Sequence, residues 1–181
     1  MKFEKVSFEV WEKEVLRDRF ERQTAYLRNC PHCFSHNREI RKTIWDDIEL
    51  PRRSTKHSAG YDFFTPIDLV IHPGQTITIP TGIRWNPGDR KDTFLAIYPR
   101  SSLGRDYSLR EPNIVSIIDA DYYDVKDNEG HIYINLKNEG TNGAVVIPKG
   151  KAYAQGIISV FLKTDDDDVM KHRTGGFGST N

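Results

Sequence analysis

The chain has 181 residues, of which 37% are hydrophobic and 29% are charged, a composition typical of a single folded domain with a sizeable core. Its 26 basic and 26 acidic residues cancel, so no net field attracts nucleic acid or an anionic membrane. The N-terminus is charged, which predicts neither a signal peptide nor a membrane helix, and we expect a cytoplasmic protein.

The N-terminal segment predicts a strand followed by helix. Residues 2–10 alternate imperfectly between apolar and polar side chains, which suits a short edge strand. Over residues 9–28, apolar residues such as Trp11 and Val15 recur near helical spacing among charged ones and predict an amphipathic helix. We interpret residues 9–50 as a helical insertion that lies on the domain.

Two cysteines and two histidines stand close together at Cys30, His32, Cys33 and His36. A structural zinc needs four such ligands arranged tetrahedrally, and neighbours such as His32 and Cys33 rarely reach the same ion. The sequence lacks a second cysteine pair, so the pattern favours no metal site. A redox role is weaker still, because no βαβ pattern surrounds the cysteines.

After residue 50 the chain changes to an all-β pattern, with short apolar runs separated by Gly, Pro and Asp. The predicted strands are residues 63–64, 69–71, 76–79, 94–98, 132–136, 145–147 and 156–161. Many short strands with almost no helix indicate a jelly-roll-like β-barrel. An acidic run then opens a flexible, glycine-rich tail at residues 165–181.

Two carboxylates follow an apolar run in the middle of this β region. On a strand, Asp119 and Asp121 share one face, and Ala120 and Tyr122 share the other. Pro112 cannot donate a ladder hydrogen bond, which predicts that the start of this strand lies at a sheet edge or in a hairpin. Taken alone, the pattern is typical of a solvated strand end with two surface aspartates.

A cation and two hydroxyls follow another predicted strand, at Arg100, Ser101 and Ser102. A guanidinium on a fixed base can contact a phosphate through two hydrogen bonds, and small residues allow close approach of the backbone. A helix cap explains the two serines equally well.

Five short segments together resemble the ordered motifs of trimeric deoxyuridine triphosphatases (dUTPases). They are residues 58–62, 99–104, 113–122, 150–155 and 173–180. Each is weak alone, but the order of all five is specific, and the match is most similar to Gram-positive bacterial and phage members. The resemblance implies a jelly-roll-like fold, a homotrimer, and hydrolysis of dUTP to dUMP and pyrophosphate with Mg²⁺.

The resemblance also implies roles for the reacting end of the nucleotide. Asp119 corresponds to the general base, which activates a water for attack on the α-phosphate. Arg100, Ser101 and Ser102 correspond to the contacts with the α- and β-phosphates. Gln155 corresponds to a polar contact near the β-phosphate.

For the nucleoside, the resemblance implies that Asn113 and strand backbone groups read the uracil edge. Ile117 and Ile118 belong to the same substrate-binding strand. The ring of Tyr122 is expected under the deoxyribose, where it leaves no room for a ribose 2′-hydroxyl. Asp62, in the first motif, is associated with the divalent ion through water.

The tail is expected to close over the nucleotide. By resemblance, Phe177 stacks on the base, and Arg173, Ser179 and Thr180 meet the γ-phosphate, with Gly178 among the substrate-binding residues. Composition alone favours a flexible terminus.

Three features depart from the usual family pattern: the insertion, Ser116 in place of a common Gly, and a lengthened turn at residues 123–130. Two other functions stay open. One is dCTP deamination on a related fold, which the complete tail motif disfavours. The other is a regulatory binding protein of the phage type, which contacts a repressor through residues 9–50 or the lengthened turn.

Overall fold

A computed structural model describes residues 1–16 and 37–171, together with Arg173 and Gly175. The strands are β1 Lys2–Lys5, β2 Tyr61–Phe64, β3 Leu69–Ile71, β4 Thr76–Pro80, β5 Ile83–Asn86, β6 Thr93–Pro99, β7 Leu109–Arg110, β8 Ser116–Asp119, β9 Tyr133–Asn138, β10 Val145–Ile147 and β11 Ala152–Val160. The helices are α1 Phe8–Val15, α2 Arg38–Asp46 and α3 Ser101–Tyr107, with a 3₁₀ turn at Ala120–Tyr122.

The strands pair antiparallel in four sheets. Their orders are β2-β11-β6-β8, β4-β9-β7, β1-β5 and β10-β3. The prediction of an all-β, jelly-roll-like fold is confirmed, although within the described ranges the sheets stay open and do not close into one barrel. All seven predicted strands are present. Strands β5 and β7 were not predicted.

A continuous hydrophobic cluster connects the sheets to the N-terminal helix. It includes Phe63, Leu95 and Tyr153 from the four-stranded sheet and Trp11 and Val15 from α1. Trp11 and Val15 are fully buried, and the Trp11 indole N–H donates to the carbonyl of Pro80 at 3.3 Å. The apolar face of α1 is therefore part of the core. Burial of such side chains is the main stabilising contribution available to a short helix.

The predicted first strand is correct at Lys2–Lys5 and wrong for residues 6–10, where α1 begins instead. The Ser7 hydroxyl accepts a hydrogen bond from Val10 N at 3.3 Å and caps the helix. The predicted helix over residues 9–28 is present up to Val15. Its remainder falls largely on residues 17–36, outside the described part of the chain, as do Cys30, His32, Cys33 and His36.

The second helix of the insertion, α2, packs against α1. The Asn37 side chain caps it by accepting from Glu39 N and Ile40 N. The buried Arg41 guanidinium pairs with Glu12 of α1 at 2.9 Å. Apolar packing of α1 thus connects the insertion to the β core, and an ion pair connects α2 to α1. No helix in the described ranges is long and apolar enough to cross a membrane.

Candidate active site

Three polar side chains meet at the end of strand β6. Arg100 directly follows the strand, and its guanidinium forms an ion pair with Asp62 of β2, a residue only 5% exposed. Gln155 of β11 stands opposite Asp62 in one ladder and opposite Tyr98 in the other. The pairing of β2, β11 and β6 therefore brings predicted residues of three sequence motifs to one place.

Arg100 and Gln155 border an open pocket of about 590 Å³. Its lining consists of Tyr98, Pro99, Arg100, Ser101, Gly104, Leu109, Arg110, Glu111, Ile114, Gln155 and Ile157. Helix α3 begins at the pocket with Arg100 as its N-cap and without a side-chain cap, so the capping explanation for Ser101 and Ser102 is wrong. The first N–H groups of a helix have no partner within it, so this pocket offers a cation, hydroxyls and N–H donors, the groups that bind phosphate.

The predicted base lies at the end of strand β8. Asp119 and Asp121 are both exposed, and the Arg173 guanidinium bridges them at 2.6 Å and 2.9 Å. The prediction that the two carboxylates share a face is confirmed by this bridge. Ala120 and Tyr122 were predicted to share the opposite face, and both are buried, although the backbone has left the strand for a 3₁₀ turn.

Arg100 and Asp119 are at opposite ends of β6. Asp119 pairs with Phe94 near the start of that strand, and Arg100 follows its last residue, Pro99. Six residues of extended chain correspond to about 20 Å. Asp119 borders a separate pocket, lined by Lys91, Asp119, Ala120, Asp121, Phe161 and Lys163. Within one chain, the candidate phosphate site and the candidate base do not form a common site.

The Tyr122 hydroxyl forms two hydrogen bonds, one as donor and one as acceptor. The hydroxyl donates to the carbonyl of His131 and accepts from Asn128 Nδ2, each at 2.8 Å. Burial raises the pKa of Tyr122 to about 12, so the phenol keeps its proton. The Arg173 guanidinium lies 5.7 Å from the ring centre. In this state the tail cation covers both the ring and the candidate base.

The segment before β8 forms a turn around a buried carboxylate. Glu111 accepts from the Ser116 hydroxyl at 3.1 Å and from Asn135 N at 3.2 Å, and burial raises its pKa. Ser116, the departure from the family's Gly, therefore supplies a hydrogen bond to this carboxylate. Asn113 is exposed in the turn, and the neighbouring Ile114 has φ of +70°, a strained conformation for a β-branched residue.

Strand β8 is the edge of its sheet, as Pro112 predicted. Ile117 is 50% exposed, whereas Ile118 is 7% exposed and belongs to the core. A substrate can reach the side chain of Ile117, but it can reach Ile118 only through backbone groups. Phe177, Gly178, Ser179 and Thr180 lie outside the described residues.

The fit of a metal ion depends on Asp62. The described residues contain no group of three or more His, Cys, Asp or Glu side chains that could hold an ion. Mg²⁺ carried by a triphosphate keeps several waters and takes most of its oxygens from the nucleotide, so a single carboxylate is enough. Asp62 suits that arrangement, although in this state its carboxylate is paired with Arg100.

Two polar residues near the site escaped the sequence analysis. Glu111 could have been suspected, because it precedes the Pro112 turn and the apolar strand. Asn128 carried no signal, because its contact with Tyr122 depends on the folding of a turn that has no periodic pattern.

Comparison with known proteins identifies the family to which the chain belongs. The dUTPase family model matches residues 46–181, which leaves out α1 and almost all of α2. The deoxyuridine 5′-triphosphate nucleotidohydrolase of Lactococcus lactis is 42% identical over 137 residues, covering 74% of this chain and 88% of that protein. The chain belongs to the dUTPase family.

Solved structures agree with this assignment. The dUTPase from Streptococcus mutans is 37% identical and aligns with a TM-score of 0.57 over 64% of this chain and 88% of its own. A dUTPase mutant from phage phi11 of S. aureus, described with a structural Mg(II) ion, is 20% identical, with a TM-score of 0.56 over 70% of this chain and 92% of its own. This second likeness concerns the fold alone.

Proposed function

We propose that the protein hydrolyses dUTP to dUMP and pyrophosphate. The observation that carries this proposal is the presence, in one dUTPase-family chain, of a pocket with Arg100, Ser101 and Gln155 and of an exposed carboxylate, Asp119, on a rigid strand end. The first group suits a polyphosphate, and the second suits activation of a water.

In the proposed reaction, Asp119 accepts a proton from a water as the oxygen attacks the α-phosphorus. The bond between the α-phosphorus and the bridging oxygen breaks, and its electron pair leaves with pyrophosphate. Arg100, with Ser101 and Ser102, stabilises the negative charge on the α- and β-phosphates, and Gln155 contacts the β-phosphate region. Arg173 must leave Asp119 before the carboxylate can act, and the γ-phosphate is a suitable new partner for its guanidinium.

Mg²⁺ bound to the triphosphate would neutralise phosphate charge, with Asp62 reached through water. Asn113 and the backbone of β8 would read the uracil edge, and Phe177, followed by Gly178, Ser179 and Thr180, would cover the bound nucleotide. Tyr122 would lie under the deoxyribose and exclude a 2′-hydroxyl.

We further propose a homotrimer in which each site takes residues from more than one chain. The separation of about 20 Å between Arg100 and Asp119 supports this, because neither end of β6 is a complete site by itself. Closed cyclic symmetry can bring the Arg100 end of one chain to the Asp119 end of the next. The tail can reach a neighbour, since an extended chain spans about 3.3 Å per residue.

A turnover assay tests the activity. Purified protein with Mg²⁺ is given dUTP, dCTP, dTTP and UTP in parallel, and pyrophosphate and ammonia are measured. We expect release of pyrophosphate from dUTP in large excess over the other nucleotides. Ammonia from dCTP would instead support the deaminase alternative, and no turnover of any nucleotide would contradict the proposal.

Mixed trimers test the shared site. Asp119→Asn protein and protein lacking residues 170–181 are each expected to be inactive or nearly so. After dissociation and reassociation, their mixture should regain measurable turnover through hybrid sites. Hybrid trimers that form but stay inactive would show that the tail does not act on Asp119 of another chain, and an active monomer in sedimentation would show that the sites are not shared.

A regulatory partner bound through the insertion is a separate proposal. Because the apolar face of α1 is buried in the core, a partner that contacts the described helices would use their polar outer surface, for example Glu39 and Lys42 of α2. Pulldown with a variant carrying both residues as Ala, beside wild type, tests this surface without removing the helices.

A further inference from the structure

The lengthened turn at residues 123–130 is folded against Tyr122. Asn128 donates to the Tyr122 hydroxyl, and His131, immediately after the turn, supplies the carbonyl that accepts from it, both at 2.8 Å. Tyr122 is 5% exposed and Asn128 is 7% exposed, so water competes little for these hydrogen bonds. The side-chain orientation of Tyr122 is therefore set by a segment outside the motif that contains it.

The amide of Asn128 has only one orientation that satisfies its neighbours. Its Oδ1 accepts from Gly130 N at 3.1 Å, which directs Nδ2 to the phenol oxygen. The backbone around it is also fixed, because Asn128 N donates to Val125 O at 3.3 Å and His131 N donates to Asn128 O at 2.9 Å. Asn128 thus presents a donor of defined direction to Tyr122.

Gly130 allows the turn to close. Its φ is +77°, and a Cβ at this position would lie 2.6 Å from the Tyr122 carbonyl oxygen and 3.0 Å from Tyr123 Cα. Backbone at such distances cannot move aside without opening the turn, so a residue without a side chain is required. Val125, inside the turn, is buried in the core.

The lengthened turn also forms hydrogen bonds with the start of helix α1. The Glu129 carboxylate accepts from Ser7 N at 2.8 Å and from the Ser7 hydroxyl at 2.6 Å, and Ser7 is the N-cap of α1. The lengthened turn therefore contacts the residue that caps α1, just before the insertion begins.

We infer that Asn128 is a positioning residue that fixes the Tyr122 ring and thereby strengthens the rejection of a substrate with a 2′-hydroxyl. This inference rests on the proposed function, in which Tyr122 lies under the sugar. A ring held at its hydroxyl cannot tilt away to admit the larger ribose, whereas a ring without this restraint can. The substrate distinction concerned is that between deoxyribonucleoside and ribonucleoside triphosphates.

The test compares the specificity constants for UTP and dUTP in wild type, Asn128→Ala, Tyr122→Phe, their double variant and Tyr122→Ala. Asn128→Ala should raise the UTP-to-dUTP ratio of kcat/KM about three- to tenfold, the range typical of one lost hydrogen bond. Tyr122→Phe should raise it similarly, and the double variant should add no more than about twofold to the Phe variant. Asp127→Ala, an exposed neighbour in the same turn, is the matched control and should leave the ratio unchanged.

A merely structural effect of Asn128 would lower both specificity constants together and leave their ratio at the wild-type value, which would overturn the inference. Additive effects of Asn128→Ala and Tyr122→Phe would also overturn it, because Asn128 would then act independently of the phenol. If Asn128→Ala does not fold, the Tyr122→Phe variant is the test. A UTP-to-dUTP ratio of kcat/KM that equals the wild-type value in Tyr122→Phe would also overturn the inference. If Tyr122→Ala itself leaves the ratio unchanged, the proposed role of Tyr122 is wrong, and the inference fails with it while dUTP hydrolysis can stand.

Discussion

The Arg100 end of strand β6 is built by strand pairing, whereas the Asp119 end is completed by the tail. At the first end, register alone sets Asp62 and Gln155 beside Arg100. At the second, Asp119 is exposed on an edge strand, and its cationic partner, Arg173, comes from beyond the last strand. In the proposed reaction, binding of phosphate would therefore rely on a preformed surface, and the chemical step would rely on a segment that has to change partners.

The largest effect is expected at the Asp119 end. Asp119→Asn should lower kcat by about 10² to 10⁴-fold with dUTP affinity nearly unchanged, because an amide keeps the shape but cannot take the proton of water. Asp89→Asn, at another exposed carboxylate, is the control. Single-turnover rates and nucleotide binding measure the two quantities separately, and wild-type turnover in Asp119→Asn would show that another group is the base.

Removal of residues 170–181 should have the next largest effect. We expect turnover to fall by about tenfold or more while Tm changes little, because a lid completes the site without belonging to the core. Thermal unfolding and dUTP turnover on the same samples measure this. A fully active truncated protein would mean that the Asp119 end needs no completion.

At the Arg100 end the expected effect is on binding. Arg100→Lys keeps the charge but loses the planar fork, and dUTP affinity should weaken about tenfold, with a smaller change in kcat. Arg105→Lys, an exposed arginine on helix α3, is the matched control. A loss in kcat without weaker binding would place Arg100 in the chemical step and remove the contrast between the two ends.

The last prediction concerns the pH dependence of stability set by His131, whose carbonyl accepts from the Tyr122 hydroxyl. His131 is fully buried, its Nε2 accepts from Gly82 N at 2.8 Å, and burial lowers its pKa to about 3. The unfolded chain therefore binds a proton that the folded chain does not between about pH 6.5 and pH 3, so stability is present above that window and is lost as the pH falls.

Each pH unit in this window should lower the free energy of unfolding by about 1.4 kcal/mol through this one group. His131→Gln, which keeps an acceptor for Gly82, should make the fall with pH shallower by that amount. Denaturation at several pH values and one protein concentration measures the slopes, and the exposed His72→Gln tests whether burial is the cause. Equal slopes for wild type and His131→Gln would contradict the assignment.

Much of the β structure followed from the sequence because alternation and β-branched runs are local properties. The strand Ser116–Asp119 is an example, whereas Asp121, which was assigned to the same strand, lies in the 3₁₀ turn that follows it. The start of α1 was predicted a residue late, and the strand before it too long, because the interaction of Glu129 with Ser7, across more than a hundred residues, helps to determine where β1 ends.

The sequence by itself determined which residue types are available: the apolar runs of the sheets, the exposed carboxylates after β8, and the Arg and Ser pair after β6. Only the tertiary structure decided that Arg100 and Asp119 lie at opposite ends of one strand, and that Asn128 holds the Tyr122 hydroxyl. The physical reason is that strand register and the closure of a turn depend on packing between distant segments, which no local pattern of side chains encodes.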